Sequence, residues 1–385
     1  MLGEPDGPPL ALGGEQAAYA AAVAGFFGAM LALRRRDAGG GGDLVDVALR
    51  DVAAYMDLKS DIGYAVNGVV PRRRGTRTGQ WRIVRALDGW IGVIFQPDQW
   101  DAVVRLVGDE RLADPALRDE ATRRTGAKQW YPIIERWAAA RPKLEIYEQA
   151  QRLGLPFGYC ADMADVATSE QYAARGFLSE GAQPGGADAP GCPARAAELG
   201  WRTGRTPRLG EHQAEVEGAA PAADRGRRRP AETAPAPLAG VVVLDLGTIT
   251  AGAATSRLLA DYGATVIKVE SPGRPDPFRA WTPPGSAISV SADATYVSPV
   301  FESNNAGKLG VALDLKTDAG RRGFHALAAR ADVVVENFRV GVTERLGIDF
   351  GSLRELNPRL VYLSLSSQGQ DGPEAWTPIW KPRLS

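Results

Sequence analysis

The stretch 238–273 constrains the fold more than any other part of the chain. An apolar run at 241–246 breaks at Gly247, a turn of small residues follows, and a helical pattern covers 253–262. A glycine ends that pattern, and a second apolar run occupies 264–269. Short apolar runs on either side of a helix, separated by glycine, are typical of a βαβ unit. The sequence therefore predicts an α/β fold with a parallel sheet.

This unit lies unusually late, since it starts about two-thirds of the way along 385 residues. The pattern continues with a loop at 271–299, a helix at 317–330, and strands at 332–336 and 360–365. A first strand at 241 indicates either two units in tandem or one unit in an unusual order.

The region before this unit is mostly helical and ends in a linker. The patterns predict a helix at 15–36, a strand leading into a helix at 43–55, and a hairpin at 86–94 that turns at an Asp-Gly pair. Helical patterns dominate 98–176. Residues 218–237 are rich in Ala, Pro and charge and contain almost no large apolar side chain, which indicates a linker.

Composition excludes several classes of function. A net charge of −1 gives no electrostatic reason to expect nucleic acid. Two cysteines, Cys160 and Cys192, and two histidines, His212 and His325, are too few for a disulfide framework or a zinc cluster. We therefore expect a cytoplasmic protein without a metal site. The histidines are also weak candidates for a nucleophilic triad, and the chain has no GxSxG motif.

One segment has the length of a membrane span. Residues 16–33 carry no charge and precede three arginines at 34–36. Most of the apolar residues are alanine, which contributes little to insertion, so we expect a buried core helix and no membrane partner. A signal peptide is not expected, because no basic region precedes the apolar run.

The turn at 247–252 and the loops after the predicted strands hold the candidate binding residues. A small-residue turn that leads into a helix suits a phosphate group, although a tight βα turn needs small residues for structural reasons alone. Cationic, amide and aromatic side chains follow the strands, where open α/β sheets bind ligands. They are Arg279, Asn304, Asn305, Lys308, Asn337, Phe338, Arg339 and Arg345. Together they indicate a ligand with several phosphates, such as a nucleotide.

These motifs resemble the family III CoA-transferases of the carnitine and formyl-CoA-transferase type, often called CaiB/BaiF. The matching text in the second region is 238–273, 305–316, ADVVVENFRVGVTERLGIDF at 331–350 and LNPRLVYLSLSSQGQDGP at 356–373. The first region resembles the rest of such a protein, at 5–9, 43–51, 155–158, 172–177 and 206–212. The resemblance covers roughly nine-tenths of the chain.

The order of the two regions differs from that of one family unit. Residues 1–217 resemble the latter part of a unit, and 238–373 resemble the early, CoA-binding part of a second unit, with the linker 218–237 between them. Two explanations stay open, an interior piece of a tandem protein and a natural circular permutation. The tail 374–385 matches nothing in the family, which favours the interior piece.

The resemblance implies a Rossmann-like parallel sheet, a smaller α+β domain at about 70–180, and an interlocked homodimer. It also implies transfer of CoA between carboxylic acids, with acyl-CoA and a carboxylic acid as substrates and no bound metal or redox cofactor. The 3′-phospho-ADP part of CoA would lie against Ala251 and Gly252. Further contacts would come from Arg279, Asn305, Lys308, Asn337, Phe338 and Arg345. Ala306 stands where the family often has arginine.

The catalytic position departs from the family pattern. Family members attack the thioester with an aspartate near the start of the helix that matches 15–36, and the product is a mixed anhydride. The matching position here is Ala18, which cannot be acylated, and Glu15 lies one turn earlier, about 5 Å along the axis. We therefore expect a CoA-binding protein with impaired activity. Two alternatives are an α-methylacyl-CoA racemase-like enzyme, with a His/Asp pair outside this sequence, and a non-catalytic pseudoenzyme subunit.

Overall fold

A computed structural model describes residues 6–8, 10, 13–56, 64–65, 68, 70, 81–179, 189–196, 198–201, 206–218, 235–280 and 298–377. The helices are α1 (Gln16–Asp37), α2 (Leu49–Tyr55), α3 (Trp100–Val107), α4 (Glu120–Thr125), α5 (Ala127–Ala139), α6 (Lys143–Arg152), α7 (Met163–Thr168), α8 (Glu170–Ala174), α9 (Gln213–Gly218), α10 (Ala251–Asp261), α11 (Pro299–Asn305), α12 (Asp318–Ala328), α13 (Val342–Leu346) and α14 (Phe350–Leu356). The strands are β1 (Arg82–Ala86), β2 (Gly89–Val93), β3 (Gly158–Tyr159), β4 (Leu178–Ser179), β5 (Ala189–Pro190), β6 (Val242–Asp245), β7 (Thr265–Glu270), β8 (Leu309–Ala312), β9 (Val333–Glu336) and β10 (Val361–Ser364).

The chain divides into two compact units. The sheet unit comprises residues 1–73 and 226–366, and the helical unit comprises 74–225 and 367–385. The domain boundaries expected from the sequence stay predictions. Most of the expected linker, most of the expected loop at 271–299 and the end of the tail lie outside the described residues.

The sheet unit contains the predicted parallel sheet. Its five strands run in the order β10-β9-β6-β7-β8, and every neighbouring pair is parallel. The βαβ unit is confirmed, with β6, α10 and β7 close to the predicted positions. The strands predicted at 332–336 and 360–365 are also confirmed, as β9 and β10, and the helix predicted at 317–330 is confirmed as α12.

The central strand packs on both faces, because successive side chains of a strand point to opposite sides. Leu244 belongs to a buried cluster with Phe324 of α12. Its neighbour Val243 belongs to a second cluster with Leu31 of α1. This alternation explains why the strand reads as a continuous apolar run.

The helix α1 is only partly buried, which corrects the expectation of a core helix. Ala21 and Leu31 are buried, and the Phe27 ring lies edge-on to Tyr262 with 5.3 Å between centroids. Only 11% of its most apolar window is buried, since a helix on a sheet covers the sheet with one face. By length and hydropathy, it is the one helix among the described residues that could cross a membrane.

The helical unit is built on the predicted hairpin. Strands β1 and β2 pair antiparallel with Ala86 opposite Gly89, as expected for a turn at Asp88. Strand β3 joins them, and α3, α5 and α6 supply the buried core. Trp100 and Trp130 pack edge-on in that core, 5.0 Å apart.

The structure also departs from the predicted elements. No strand forms at 43–48, although α2 follows as expected. The alternation of apolar and polar residues there was misleading, because a strand also needs a partner and none of the described residues pairs with it. Helix α11 and strand β8 were not anticipated, since both are short and β8 is an edge strand with three of its four residues exposed.

Candidate functional site

The turn between β6 and α10 lies at the carboxyl end of the central strand. Its backbone folds back so tightly that a Cβ atom on Gly252 would lie only 2.6 Å from the Cα atom of Gly247. Thr250 occupies the N-cap position of α10 without a capping hydrogen bond from its own side chain. The first N–H groups of this helix therefore lack their usual side-chain acceptor, which favours an anionic ligand there. Ala251, the first helical residue, is exposed.

Asn337 connects the end of β9 to this turn. Its side-chain oxygen accepts the Thr248 N–H at 2.8 Å, and its side-chain nitrogen donates to the Thr248 carbonyl at 3.1 Å. The same oxygen would lie 2.9 Å from a Cβ atom on Gly252. The amide thus holds the turn with both its oxygen and its nitrogen, although the sequence suggested only that it contacts a ligand.

Lys308 is buried beneath the start of α10, with only 2% of its side chain exposed. Its ammonium lies 2.8 Å from Asp245, 2.8 Å from the Ala253 carbonyl, and 2.9 Å from Ser256 and Asn305. Burial lowers the pKa of Lys308 to about 8, despite the nearby Asp245 carboxylate. This cation supports α10 from within, so in this conformation its donors are used by the protein itself.

A second buried lysine supports the other side of the turn. Lys268 of β7 donates to the Gly247 carbonyl at 2.7 Å and lies 3.4 Å from Asp276. Asp276 is 1% exposed and also accepts the Ile249 N–H through both of its oxygens, at 3.1 and 3.2 Å. Asn304 donates to the Ile249 carbonyl at 3.0 Å.

Arg279 lies at the outer end of the same arrangement. Its guanidinium makes a bidentate ion pair with Glu270, with a shortest distance of 2.5 Å, and stacks on the Phe301 ring at 3.9 Å. Burial alone would raise the pKa of Glu270, but the hydrogen bonds from Arg279 and the Asp276 N–H, together with the charge of Lys268, lower it overall. About a third of the Arg279 side chain is exposed (38%), so one edge stays accessible to a ligand.

Arg339, three residues after β9, has donors that none of the described residues accepts. Its Nε and Nη2 atoms are buried, and no residue in the described part of the chain accepts a hydrogen bond from them. Burial lowers its pKa from the ordinary value. Phe338, immediately before it, is half-buried, and its N–H donates to the buried Glu336 carboxylate at 2.6 Å. A buried donor without an acceptor is costly, so an anion beside Arg339 would be stabilising.

Arg345, a predicted CoA contact, and Ala18, the expected position of the nucleophile, are both exposed. Arg345 is exposed on α13 and forms no ion pair with the described residues. Ala18 lies in the first turn of α1 and is exposed, and Glu15 before it has a left-handed backbone with φ of 55°. Among the residues that the structure describes, no group of His, Cys, Asp and Glu is placed to hold a metal ion.

The structure therefore separates the predicted residues into two groups. Asn305, Lys308 and Asn337 support the turn, whereas Arg279 and Arg345 keep exposed surface. Sequence reasoning missed the acceptors beneath the turn, Asp245 and Asp276. The sequence did contain a signal for Asp245, since a single carboxylate in an apolar strand is expected to be buried and therefore to need a cationic partner.

Comparison with known proteins identifies relatives of both regions. A sequence profile described as CoA-transferase family III matches residues 1–213 and 238–380. The second match includes 374–380, the first part of the tail that was expected to match nothing in the family. A Mycobacterium tuberculosis protein described as a probable CoA-transferase is 31% identical over 406 aligned residues, which cover 99% of this chain and 46% of that protein. The succinate–glutarate CoA-transferase of Agrobacterium fabrum is 43% identical over 140 residues, 36% of this chain and 34% of that protein.

A solved structure is also similar in part. The crystal structure of a CAIB/BAIF family protein from Brucella suis is 39% identical over 37% of this chain and 36% of that chain, with a TM-score of 0.34. The chain thus spans about half or less of the length of each of these relatives.

Proposed function

Because the chain belongs to CoA-transferase family III, we propose that its sheet unit binds the CoA part of an acyl-CoA thioester. The observation that carries this proposal is the Arg339 guanidinium, two residues from the amide that holds the β6–α10 turn. Its buried Nε and Nη2 atoms have no acceptor among the described residues. The uncapped start of α10 and the exposed parts of Arg279 and Arg345 support a ligand with several phosphates. Phe338 supplies a neighbouring aromatic surface for its base.

The reaction proposed for a complete protein of this kind is transfer of CoA between carboxylic acids. The named transferase relatives support it, with acyl-CoA and a carboxylic acid as substrates. For this chain we propose impaired transfer, because the position of the family nucleophile is Ala18. A non-catalytic CoA-binding subunit is the second candidate, and the same alanine favours it. We also propose that the protein forms a homodimer and acts in the cytoplasm.

The first test is CoA binding by the unmodified chain in isothermal titration calorimetry. Replacement of Arg339 by methionine should then weaken binding roughly tenfold, since a charged hydrogen bond to phosphate contributes about 1.5–3 kcal/mol. Arg359→Met is the matched control, because Arg359 is exposed and lies just before β10, at the amino end of the parallel strands and so away from Arg339. No heat of binding with the unmodified chain would reject the proposed function. Equal affinities of the two variants for CoA would mean that Arg339 does not contribute to binding.

Restoring a carboxylate at the nucleophile position should not create a transferase. Ala18→Asp is expected to leave transfer of CoA from an acyl-CoA to a carboxylic acid undetected, while CoA binding stays unchanged. The thioester carbonyl must be held at attack distance from the carboxylate, and hydrogen-bond donors must face the oxyanion that forms on it. A single exposed side chain in the first turn of α1 supplies neither. Transfer is followed by liquid chromatography of the CoA esters. Measurable turnover by this variant would contradict the impaired and pseudoenzyme proposals together.

A further inference from the structure

Ile249 adopts a backbone conformation that disfavours its own side chain. Its φ is 62°, in the left-handed region, and Glu15 is the one other non-glycine residue with positive φ among those described. For a β-branched residue this conformation is a true outlier and is energetically unfavourable. Such strain persists only where surrounding contacts hold it, and Ile249 lies in the middle of the proposed CoA-binding turn.

Two buried side chains hold the peptide groups of Ile249 from both sides. Asp276 accepts its N–H, and Asn304 donates to its carbonyl. Both side chains are themselves almost completely buried, at 1% and 3% exposure. Asp276 is fixed in turn by the Phe278 N–H at 2.9 Å and by Lys268. These contacts come from residues 27 and 55 positions further along the chain, so they belong to the tertiary structure and not to the turn itself.

The Ile249 side chain provides a third contact. It packs against a buried cluster of Phe278, Val300 and Phe301, and two of those residues belong to α11, the helix that carries Asn304. A glycine at this position would adopt the left-handed backbone without strain but would lose this packing. The isoleucine therefore makes the turn conformation depend on the position of α11 and of the Asp276 loop.

We propose that Asp276 and Asn304 are positioning residues that hold the 247–250 turn in its ligand-binding conformation. The proposal rests on the function proposed above, because the turn is the site offered to CoA. A turn held in advance of binding avoids the ordering cost that a flexible loop would add to the free energy of association. Neither residue needs to touch the ligand.

A double-mutant cycle between Asn304 and Ile249 tests the proposal. Asn304→Ala removes one hydrogen bond and should weaken CoA binding roughly tenfold, by releasing the strain at Ile249. In the Ile249→Gly background, the same Asn304→Ala change should cost less than about threefold, because glycine stays left-handed without help. Ser303→Ala is the control on the same helix, since the Ser303 hydroxyl donates to the Val300 carbonyl of that helix and, among the described residues, does not contact Ile249.

A second variant keeps the test decisive. Asp276→Ala removes the acceptor of the Ile249 N–H, so it should show the same dependence on the residue at 249. Equal losses of affinity in the Ile249 and Ile249→Gly backgrounds would overturn the proposal, because a general loss of structure does not depend on the strain at one residue. Unchanged affinity of Asn304→Ala would also overturn it.

The four proteins of the cycle are also unfolded in urea without CoA. The Asn304→Ala change should lower the denaturation midpoint more in the Ile249 background than in the Ile249→Gly background. This readout separates the two proposals, since it is independent of the ligand. Coupling in urea without CoA binding by the unmodified chain would reject the proposed function alone, whereas additive urea midpoints would reject the role of Asp276 and Asn304.

Discussion

Replacement of Lys308 by methionine is expected to lower the free energy of unfolding by about 3–5 kcal/mol. The ammonium is the partner of Asp245, whose side chain is completely buried at 0% exposure. Methionine has a similar length but no charge, so it leaves the carboxylate in the core without its counter-ion. The Ala253 carbonyl and the side chains of Ser256 and Asn305 lose the same donor. Chemical denaturation followed by circular dichroism measures the effect.

Two further variants make this result specific. Lys316→Met is the matched control, since Lys316 is exposed eight positions along the chain, and it should change stability by less than about 0.5 kcal/mol. Adding Asp245→Asn to Lys308→Met should recover part of the loss, because the buried charge is removed together with its partner. If Lys308→Met kept its stability and lost only CoA affinity, the ammonium would be a ligand contact, as the resemblance to the family implies.

The elements that the sequence predicted are those with strong local signals. The βαβ unit at 242–270 follows from an apolar run, two glycines and a helical period, all within about 30 residues. The strand expected at 43–48 had only the local alternation, and pairing with a distant strand decides whether such a segment is extended. Strand β8 had the opposite problem, because it has a partner in β7 but a weak pattern of its own.

The site could be located from the sequence, but the role of each cation could not. Lys308 and Arg339 look alike in the sequence, as cations that follow predicted strands. The structure gives Lys308 an acceptor in Asp245, 63 positions earlier, whereas two nitrogens of Arg339 have no acceptor in the part of the chain that the structure describes. Which cation remains available for a ligand therefore depends on tertiary packing. The left-handed backbone of Ile249 is likewise invisible in the sequence, because isoleucine is a residue that normally avoids it.

Gly252→Ala is expected to disrupt the turn and abolish the proposed CoA site. The added methyl carbon would lie 2.6 Å from the Cα atom of Gly247 and 2.9 Å from the Asn337 side-chain oxygen. The first of these neighbours is backbone, which cannot move aside as a flexible side chain can. We expect a loss of about 3 kcal/mol in the free energy of unfolding, at the upper end of the cost of overpacking. Affinity for CoA should fall at least tenfold, because a shifted Gly247 also displaces the carbonyl that Lys268 binds.

Gly273→Ala separates this steric effect from the general effect of replacing glycine. No atom lies within 4 Å of a Cβ atom at Gly273, and the residue is exposed in the loop after β7, so its replacement should be neutral. Titration calorimetry and urea denaturation of the two variants then distinguish the possible causes. A loss of CoA affinity in Gly252→Ala with the stability of the unmodified chain would mean that the turn moves freely and that the ligand alone needs the space. A loss of both, with Gly273→Ala unchanged, would mean that the close approach of Gly247 and Gly252 is part of the fold and that the proposed CoA site depends on it.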